Sequence, residues 1–424
     1  MLEITLFREN PDAIKRDLKR RGLDEKVVWV DKVVELDREW RKKKQELDEL
    51  KRKRNILADE IKMLRGAGKD VKDKIAEAKQ LPEKIKVLEA ETNELYNKLI
   101  YYRMRLPNIL DEGVPLGKDD SDNVELRRWG EIKKPAFELK HHGALAQELG
   151  LADFKRAVKI SGAGFYFLRG WLALMDLALM RFAVDELMSK GFIPLETPMM
   201  MKRKPYEGVT DLQDFENVMY KIEDEDLYLI ATSEHPIAAM HSNEIFNEKE
   251  LPLKYCGISA CFRREIGKHS IDERGLFRVH QFNKIEQFVF CLPEHSKEIH
   301  EELVRNAEEL LRKLELPHRV VNVCTGDIGT VAAKKYDVEG WSPREEKFIE
   351  LMSCSNCTSY QSTRLNIKVR RKEGKQYVHT LNSTEVATAR TLRLILEHYQ
   401  TEDGYIVVPK ALRPYMNDLE HIPP

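Results

Sequence analysis

The residues best equipped for chemistry lie between Tyr255 and Cys291. From Lys254 the chain reads KYCGISACFRREIGKHSIDERGLFRVHQFNKIEQFVFC. Two apolar, β-branched or aromatic runs, Ile258–Phe262 and Val279–Phe290, flank a charged segment punctuated by glycine. That is the pattern of a strand, a long loop and a returning strand. Arg263 and Glu265 leave the first run two residues apart, and the spacing predicts that they share a face. Phe282, Lys284 and Glu286 share a face of the second run by the same alternation. A sheet face carrying Arg, Glu, Phe and Glu makes a poor core and suits a nucleotide together with a cationic substrate. The Arg263 guanidinium is a planar fork matched to phosphate or carboxylate, and a hydrogen-bonded carboxylate beside it holds such a fork still. Phe282 offers a ring on which a base can stack, and Glu286 a carboxylate for an ammonium group. A bare R-x-E also fits a salt-bridged antiparallel hairpin.

The fuller arrangement is F-R-R-E at Phe262–Glu265, then F-R-V-H-Q-F-N-K-I-E at Phe277–Glu286. It resembles motif 2 of the class II aminoacyl-tRNA synthetases, in detail that of the seryl-tRNA synthetases. Other stretches resemble the same family, in order along the chain. Leu172–Ser189 has helical periodicity and runs into FIPLETP, which resembles motif 1. ATSEHPIAAMH, from Ala231, is similar to the T-A-E loop that closes on the amino acid, with Ser233 where bacterial members usually have Ala. TGDIG at Thr325–Gly329 and AAKKYDVEGW after it are similar to the G-D-[IL] and Y-D-[IL]-E-x-W runs. Glu350-Leu351-Met352-Ser353 takes the place of the ATP-contacting E-[IV]-S-S, with Met352 where a small polar residue is usual. HTLNSTEVATAR, His379–Arg390, resembles motif 3, although bacterial members more often have N-G-S-G in place of Asn382–Glu385. The entry GLAD…KRAVKISGAGFYFLRG and the tail QTEDGYIVVPKALRPYM extend the resemblance over nearly the whole chain.

The resemblance implies an α+β fold, a class II synthetase-like, mainly antiparallel sheet with helices, preceded by an antiparallel two-helix coiled-coil arm. It implies serine activation by ATP and transfer to the 3′ end of tRNA(Ser), with tRNA(Sec) left open as a second acceptor. Residue by residue, it assigns catalysis to Arg263, Glu265 and Arg390. ATP binding falls to Arg263, Glu265, Phe282, Glu350, Ser353 and Arg390, with Phe282 and Arg390 on either side of the adenine. Serine binding falls to Thr232, Glu234, Arg263, Glu286 and Thr384. Glu350 is the expected ligand of a magnesium ion that accompanies ATP, since a hard cation takes oxygen donors. Motif 1 implies a homodimer. Two alternatives of other classes remain: a paralogue that loads a carrier protein, which would lack the arm, and a non-catalytic synthetase-like RNA-binding protein, which would tolerate loss of Arg263, Glu265 or Arg390.

The elements that must position these residues can be read from periodicity. Residues 1 to about 25 suggest a short strand (Leu2, Ile4, Leu6) and then a helix starting at Asn10-Pro11. From Lys26 to about Arg105 two apolar heptad series recur, Val33, Trp40, Leu47, Ile61 and Leu36, Leu50, Leu57, Leu64, as in a coiled coil. The series breaks at RGAGK, Arg65–Lys69, and resumes with Ile85, Leu88, Leu95, Leu99, Tyr102 and Leu106, which predicts a helical hairpin of roughly 50–60 Å. Pro82 predicts a kink or an interruption in its second arm. Residues 26–105 carry 22 Lys and Arg against 16 Asp and Glu. Basic clusters stand at Arg41–Lys44 and Lys51–Arg54. Such charge keeps a coiled coil soluble, and it also fits a lever laid on RNA phosphates. Residues 107–140 read as linker and loops, LYLIA (Leu227–Ala231) as a strand, and 293–316 as an amphipathic helix. The expected domains are 1–110, a tRNA-binding domain with the hairpin at about 26–105, and 111–424, the catalytic domain.

Composition bounds the rest. The chain has 424 residues and a formal net charge of -1, so overall charge points to no polyanion. The N-terminus has no apolar signal core, and the run from Trp171 to Phe182 is too short for a bilayer and is broken by Asp176 and Arg181. A soluble, cytoplasmic protein without membrane attachment is expected. Of six cysteines only Cys354 and Cys357 form a C-x-x-C, with no second pair for a structural zinc; reduced cysteines are the expectation.

Overall fold

The structure, a computed structural model, describes residues 1–210, 218–265 and 275–423. The middle of the long loop expected after Arg263, residues 266–274, lies outside them. The chain divides into two units, Leu2–Leu106 and Pro107–Pro424 with Met1.

The first unit is helical among its described residues: α1 (Ile4–Glu9), α2 (Pro11–Arg20), α3 (Val27–Gly66) and α4 (Lys72–Arg105). The strand expected at Leu2, Ile4 and Leu6 is instead α1. A lone strand here would have no neighbour for its peptide groups, whereas a helix satisfies them internally and buries Phe7. Asn10 caps α2 by accepting from the Ala13 amide at 3.2 Å, with Pro11 at the first helical position. α3 and α4 form the antiparallel hairpin. Leu47, Leu57, Leu81, Ile85 and Leu88 make a buried seam, Trp40 packs on Tyr96 at 5.6 Å, and Lys43–Glu91 and Lys51–Glu89 pair at 2.6 Å across it. At 40 residues α3 is about 60 Å long. It stops because Gly68 adopts φ 67° and the Lys69 amide returns to the Leu64 carbonyl at 2.9 Å, a turn that favours glycine. Pro82 does not interrupt α4, which runs through it. Leu81 and Ile85 on either side are buried in the seam and hold the helix across the lost hydrogen bond.

The second unit is built on an eight-stranded sheet. In chain order its strands are β1 (Val124–Trp129), β2 (Ile193–Glu196), β3 (Leu253–Phe262), β4 (Gln281–Cys291), β5 (His318–Asn322), β6 (Lys334–Ser342), β7 (Lys347–Thr358) and β8 (His379–Ala387). Their spatial order is β1-β5-β6-β7-β8-β4-β3-β2, antiparallel throughout except for β2 beside β3. β1 corrects the reading of 107–140 as linker and loops. VELRRW alternates too weakly to stand out because an edge strand needs only a shallow apolar face. Three helices, α5 (Gly170–Ser189), α7 (Ser296–Lys313) and α9 (Thr388–His398), pack on one face with Val289, Val320, Val338 and Leu381. Beneath the other face Phe288 and Phe290 join Tyr206, Ile230 and Ile237, which brings in the short helices α6 (Glu234–Met240) and α8 (Tyr360–Leu365). Between the strand ends and this second layer the sheet face stays open. No helix of the described residues is long and apolar enough to cross a membrane.

Candidate active site

The open face is a cleft of about 110 Å³. Thr232, Glu234, Arg263, Glu265, Phe282, Glu286, Glu350, Ser353, Thr384 and Arg390 all line it, so the structure brings together every site residue expected from the sequence. Lys284, Phe277, Arg278 and Asn382 line it as well. Among the described residues a roomier cleft of about 510 Å³ beside Trp129 and Phe137 has no arginine in its lining.

Strand geometry explains the convergence, with three adjustments. On β4 plain alternation turns Phe282, Lys284 and Glu286 to the cleft. β3, however, ends at Phe262, so alternation does not carry Glu265 to the same side as Arg263. Glu265 reaches the cleft through a left-handed backbone, φ 46°, and is held there by Arg278 at 2.7 Å. Glu350 and Ser353 are three apart on β7, which on a regular strand would put them on opposite faces. The register slips at Leu351, so Val338 faces Met352 while Glu339 faces Glu350; this bulge turns both polar residues to the cleft and Met352 into the core. On β8 a second slip at Glu385 sets Thr384 across from Glu286 and Ala387 across from Lys284. The strand expected at LYLIA is reduced to Tyr228–Leu229. Beyond it the chain turns at Thr232 and Ser233 and enters α6 with Glu234 as its first residue. That turn lies against Gly257, where a Cβ would come within 2.5 Å of the Ser233 hydroxyl, so glycine is required opposite Glu286.

The cleft has two chemical ends. At one, Arg263 lies over Phe282 at 5.4 Å and donates to the Ala231 carbonyl at 3.4 Å. Arg390 lies over Phe277 at 5.1 Å, donates to the Glu350 carbonyl at 2.9 Å and pairs with its carboxylate at 3.4 Å. The ring against the Arg390 guanidinium is therefore Phe277, which the sequence reading did not single out, while Phe282 has Arg263. Burial alone would raise the Glu350 carboxyl, but Arg390, Lys335 and Arg263 together hold it below the usual range and keep it ionised. At the other end Lys284 is ion-paired with Glu286, and the Thr384 hydroxyl donates to Glu286 at 3.4 Å. Burial, and then the Glu286 charge, push Glu234 up to about 7 against the pull of Lys284 and of a hydrogen bond from Gln361. One end thus presents two guanidinium groups, two aromatic rings and an ionised carboxylate, a fit for a nucleotide triphosphate. The other presents two carboxylates, of which Glu286 is paired with Lys284, and a hydroxyl, a fit for a small amine that also carries a hydroxyl.

Lys284 and Phe277 were legible as site residues: Lys284 shares the alternating face, and Phe277 belongs to the aromatic-basic run before it. Gln361 carried no signal in sequence. Among the described residues no group of three or more His, Cys, Asp or Glu is placed to share a metal ion. Cys354 and Cys357 are free and buried on β7. The Cys354 thiol faces the His300 carbonyl at 3.7 Å and the Cys357 sulfur accepts from Asn382 at 3.6 Å, so the two have different neighbours. Burial pushes both thiols up, which makes them poor nucleophiles.

Residues 219–399 match the tRNA synthetase class II core domain (G, H, P, S and T), and residues 1–110 match the seryl-tRNA synthetase N-terminal domain. The serine–tRNA ligase of Methanocella arvoryzae is 59% identical over 425 residues, covering 100% of both chains. Two crystal structures superpose along the whole chain. The seryl-tRNA synthetase of Pyrococcus horikoshii complexed with ATP has a TM-score of 0.90 and 49% identity, covering 100% of this chain and 99% of that one. The cytoplasmic serine–tRNA ligase of Naegleria fowleri in complex with AMP has a TM-score of 0.86 and 38% identity, covering 100% and 98%.

Proposed function

The chain belongs to the seryl-tRNA synthetase family, and from that premise we propose how its residues carry out the reaction. It is an aminoacyl-tRNA ligase that activates L-serine with ATP, giving seryl-adenylate and pyrophosphate, and then transfers the seryl group to the 3′ end of tRNA(Ser). The observation that supports the assignment most strongly is the convergence of residues from β4, β7, β8, α6 and the end of β3 on one cleft with a nucleotide end and an amine end.

In the first step an oxygen of the serine carboxylate attacks the α-phosphorus of ATP, and pyrophosphate leaves with its bonding electron pair. Arg263, at the guanidinium end of the cleft, bridges the serine carboxylate and the α-phosphate, stabilising charge that develops on phosphorus. The adenine occupies the space between Phe282 and Arg390, with Phe277 supporting the guanidinium. Glu265, steadied by Arg278, fixes the nucleotide. Glu350 offers one ionised carboxylate, a hard oxygen donor that fits a magnesium ion; Glu350 and Ser353 are the residues that would hold it. Bound there, the ion would neutralise phosphate charge. Glu234 and Glu286 receive the ammonium group, and Thr232 and Thr384 complete the polar wall around the hydroxyl. Alanine leaves those groups unpaired and is rejected on that account. In the second step a ribose hydroxyl of the tRNA attacks the carbonyl and AMP leaves; positioning of the two reactants supplies the rate.

The hairpin of α3 and α4 is the proposed tRNA contact, in a cytoplasmic enzyme. Lys42 and Arg52 are exposed on α3, while Lys43, Lys44, Lys51 and Lys53 lie in ion pairs along the hairpin. A homodimer through α5 and β2 is supported by the apolar side chains exposed there, Leu174, Leu177, Met188 and Ile193, with Leu177 58% accessible. A non-catalytic RNA-binding role has no use for a cleft that retains Arg263, Glu265 and Arg390. The test is charging of total tRNA with labelled serine and ATP: seryl-tRNA is expected from the wild type and its loss from E286Q. Failure of the folded wild type to serylate any tRNA overturns the assignment.

A further inference from the structure

Gln361, the second residue of α8, is fully buried, and its side-chain amide is wholly committed. Nε2 donates to Oε1 of Glu234 at 2.8 Å and to the Val209 carbonyl at 3.2 Å. Oε1 accepts from the Thr380 hydroxyl at 2.7 Å. Only one orientation of the amide works, because the reverse would turn its oxygen on a carboxylate and a carbonyl together. One turn along α8, Arg364 donates to the Glu207 and Thr210 carbonyls at 3.1 and 2.7 Å, so α8 holds the backbone on both sides of Val209. Among the described residues Gln361 is the one side chain that hydrogen-bonds the Glu234 carboxylate. Thr380 lies on β8, the strand that also presents Thr384 to the cleft.

We propose that Gln361 is a positioning residue for amino-acid selection: its amide, braced by Thr380 and Val209, fixes the Glu234 carboxylate in the orientation that receives the ammonium group of the substrate. The inference rests on the serine-activating reading of the cleft. Glu234 is otherwise free to turn toward solvent or to take up a proton in company with Glu286, and either movement weakens its hold on an amine. The donated hydrogen bond also works against that proton, since it favours the ionised carboxylate. Gln361 touches neither substrate and acts through Glu234.

The experiment is steady-state ATP–pyrophosphate exchange by the full-length protein, with serine and ATP varied separately. Q361M keeps the length of the side chain and removes its hydrogen bonds. A rise of about tenfold in KM for serine is expected, the scale of one lost hydrogen bond to a charged group, with KM for ATP within about twofold. The acid limb of kcat/KM for serine moves to higher pH. T380V, which removes only the brace, moves KM for serine the same way by a smaller factor. An unchanged serine KM in Q361M overturns the proposal, as does a joint rise of both KM values with a fall in Tm, the mark of a merely structural role. If Q361M does not fold, an unchanged serine KM in T380V overturns it. E234Q separates the levels: a raised serine KM there with none in Q361M sinks the inference alone, whereas wild type without serine-dependent exchange sinks the proposed function and the inference with it.

Discussion

Among the described residues Arg263 is held at one end only, by the Ala231 carbonyl and the face of Phe282, and so keeps its fork free of them for an anion. A lysine keeps the charge and loses the planar pair of donors. R263K should therefore lower kcat for pyrophosphate exchange by on the order of 10²–10³, the cost of one oriented donor to developing charge, with serine and ATP still able to bind. Glu234 sets a second expectation. Its folded value of about 7 means that the carboxylate needed for the ammonium group is present above that pH and is lost below it. The logarithm of kcat/KM for serine should fall with a slope approaching one as pH drops through about 7, and E234Q should lower the plateau and flatten the limb. A profile level from pH 6 to 8 in the wild type would remove Glu234 from ammonium binding. At this scale much was legible in the sequence. Arg263, Phe282 and Glu286 declared their chemistry by type and spacing because alternation on a strand is a strict rule. Gln361 did not, because its partners Val209, Glu234 and Thr380 lie far away along the chain.

Elements were legible where one periodicity ruled and obscure where a single residue broke it. The hairpin of α3 and α4 could be read from its heptads and from Gly68, yet the six-residue α1 looked like a strand because three alternating apolar residues are too few to decide. The bulges at Leu351 and Glu385 left no trace in composition, though they bring Glu350, Ser353 and Thr384 to one face. Glu385 also carries a cost. Among the described residues neither of its carboxylate oxygens has a hydrogen-bond partner, and burial pushes the group up to about 8, with Lys190 opposing and Glu186 and Glu309 adding to the rise. A carboxyl raised in the folded state stabilises fully below its unfolded value, 4.5, and that contribution is lost as pH climbs through the folded value. The wild type should consequently lose Tm between pH 6 and pH 9 more steeply than E385Q. E385Q should exceed it by a few degrees at pH 9 and by less at pH 6. Parallel Tm profiles for the two proteins would show that Glu385 is not a buried acid.

On the scale of the whole molecule the proposed function gives the two units separable tasks. The arm carries the net positive charge of the chain, about +6 over residues 26–105, and the remainder about -7. Among the described residues none of those that line the cleft belongs to the arm. Deleting residues 30–100 should leave pyrophosphate exchange within a few-fold of wild type and abolish charging of tRNA(Ser). Unchanged charging would refute the arm as the tRNA contact. The central claim is narrower: one cleft binds ATP at its guanidinium end and serine at its carboxylate end, before any tRNA arrives. It is tested most directly by ATP–pyrophosphate exchange with each of the twenty amino acids, without tRNA. Exchange with serine, and none above background with alanine, is the expected result. Exchange driven by another amino acid would contradict the pocket built on Glu234, Glu286 and Thr384, and no exchange from folded protein would contradict the active site itself.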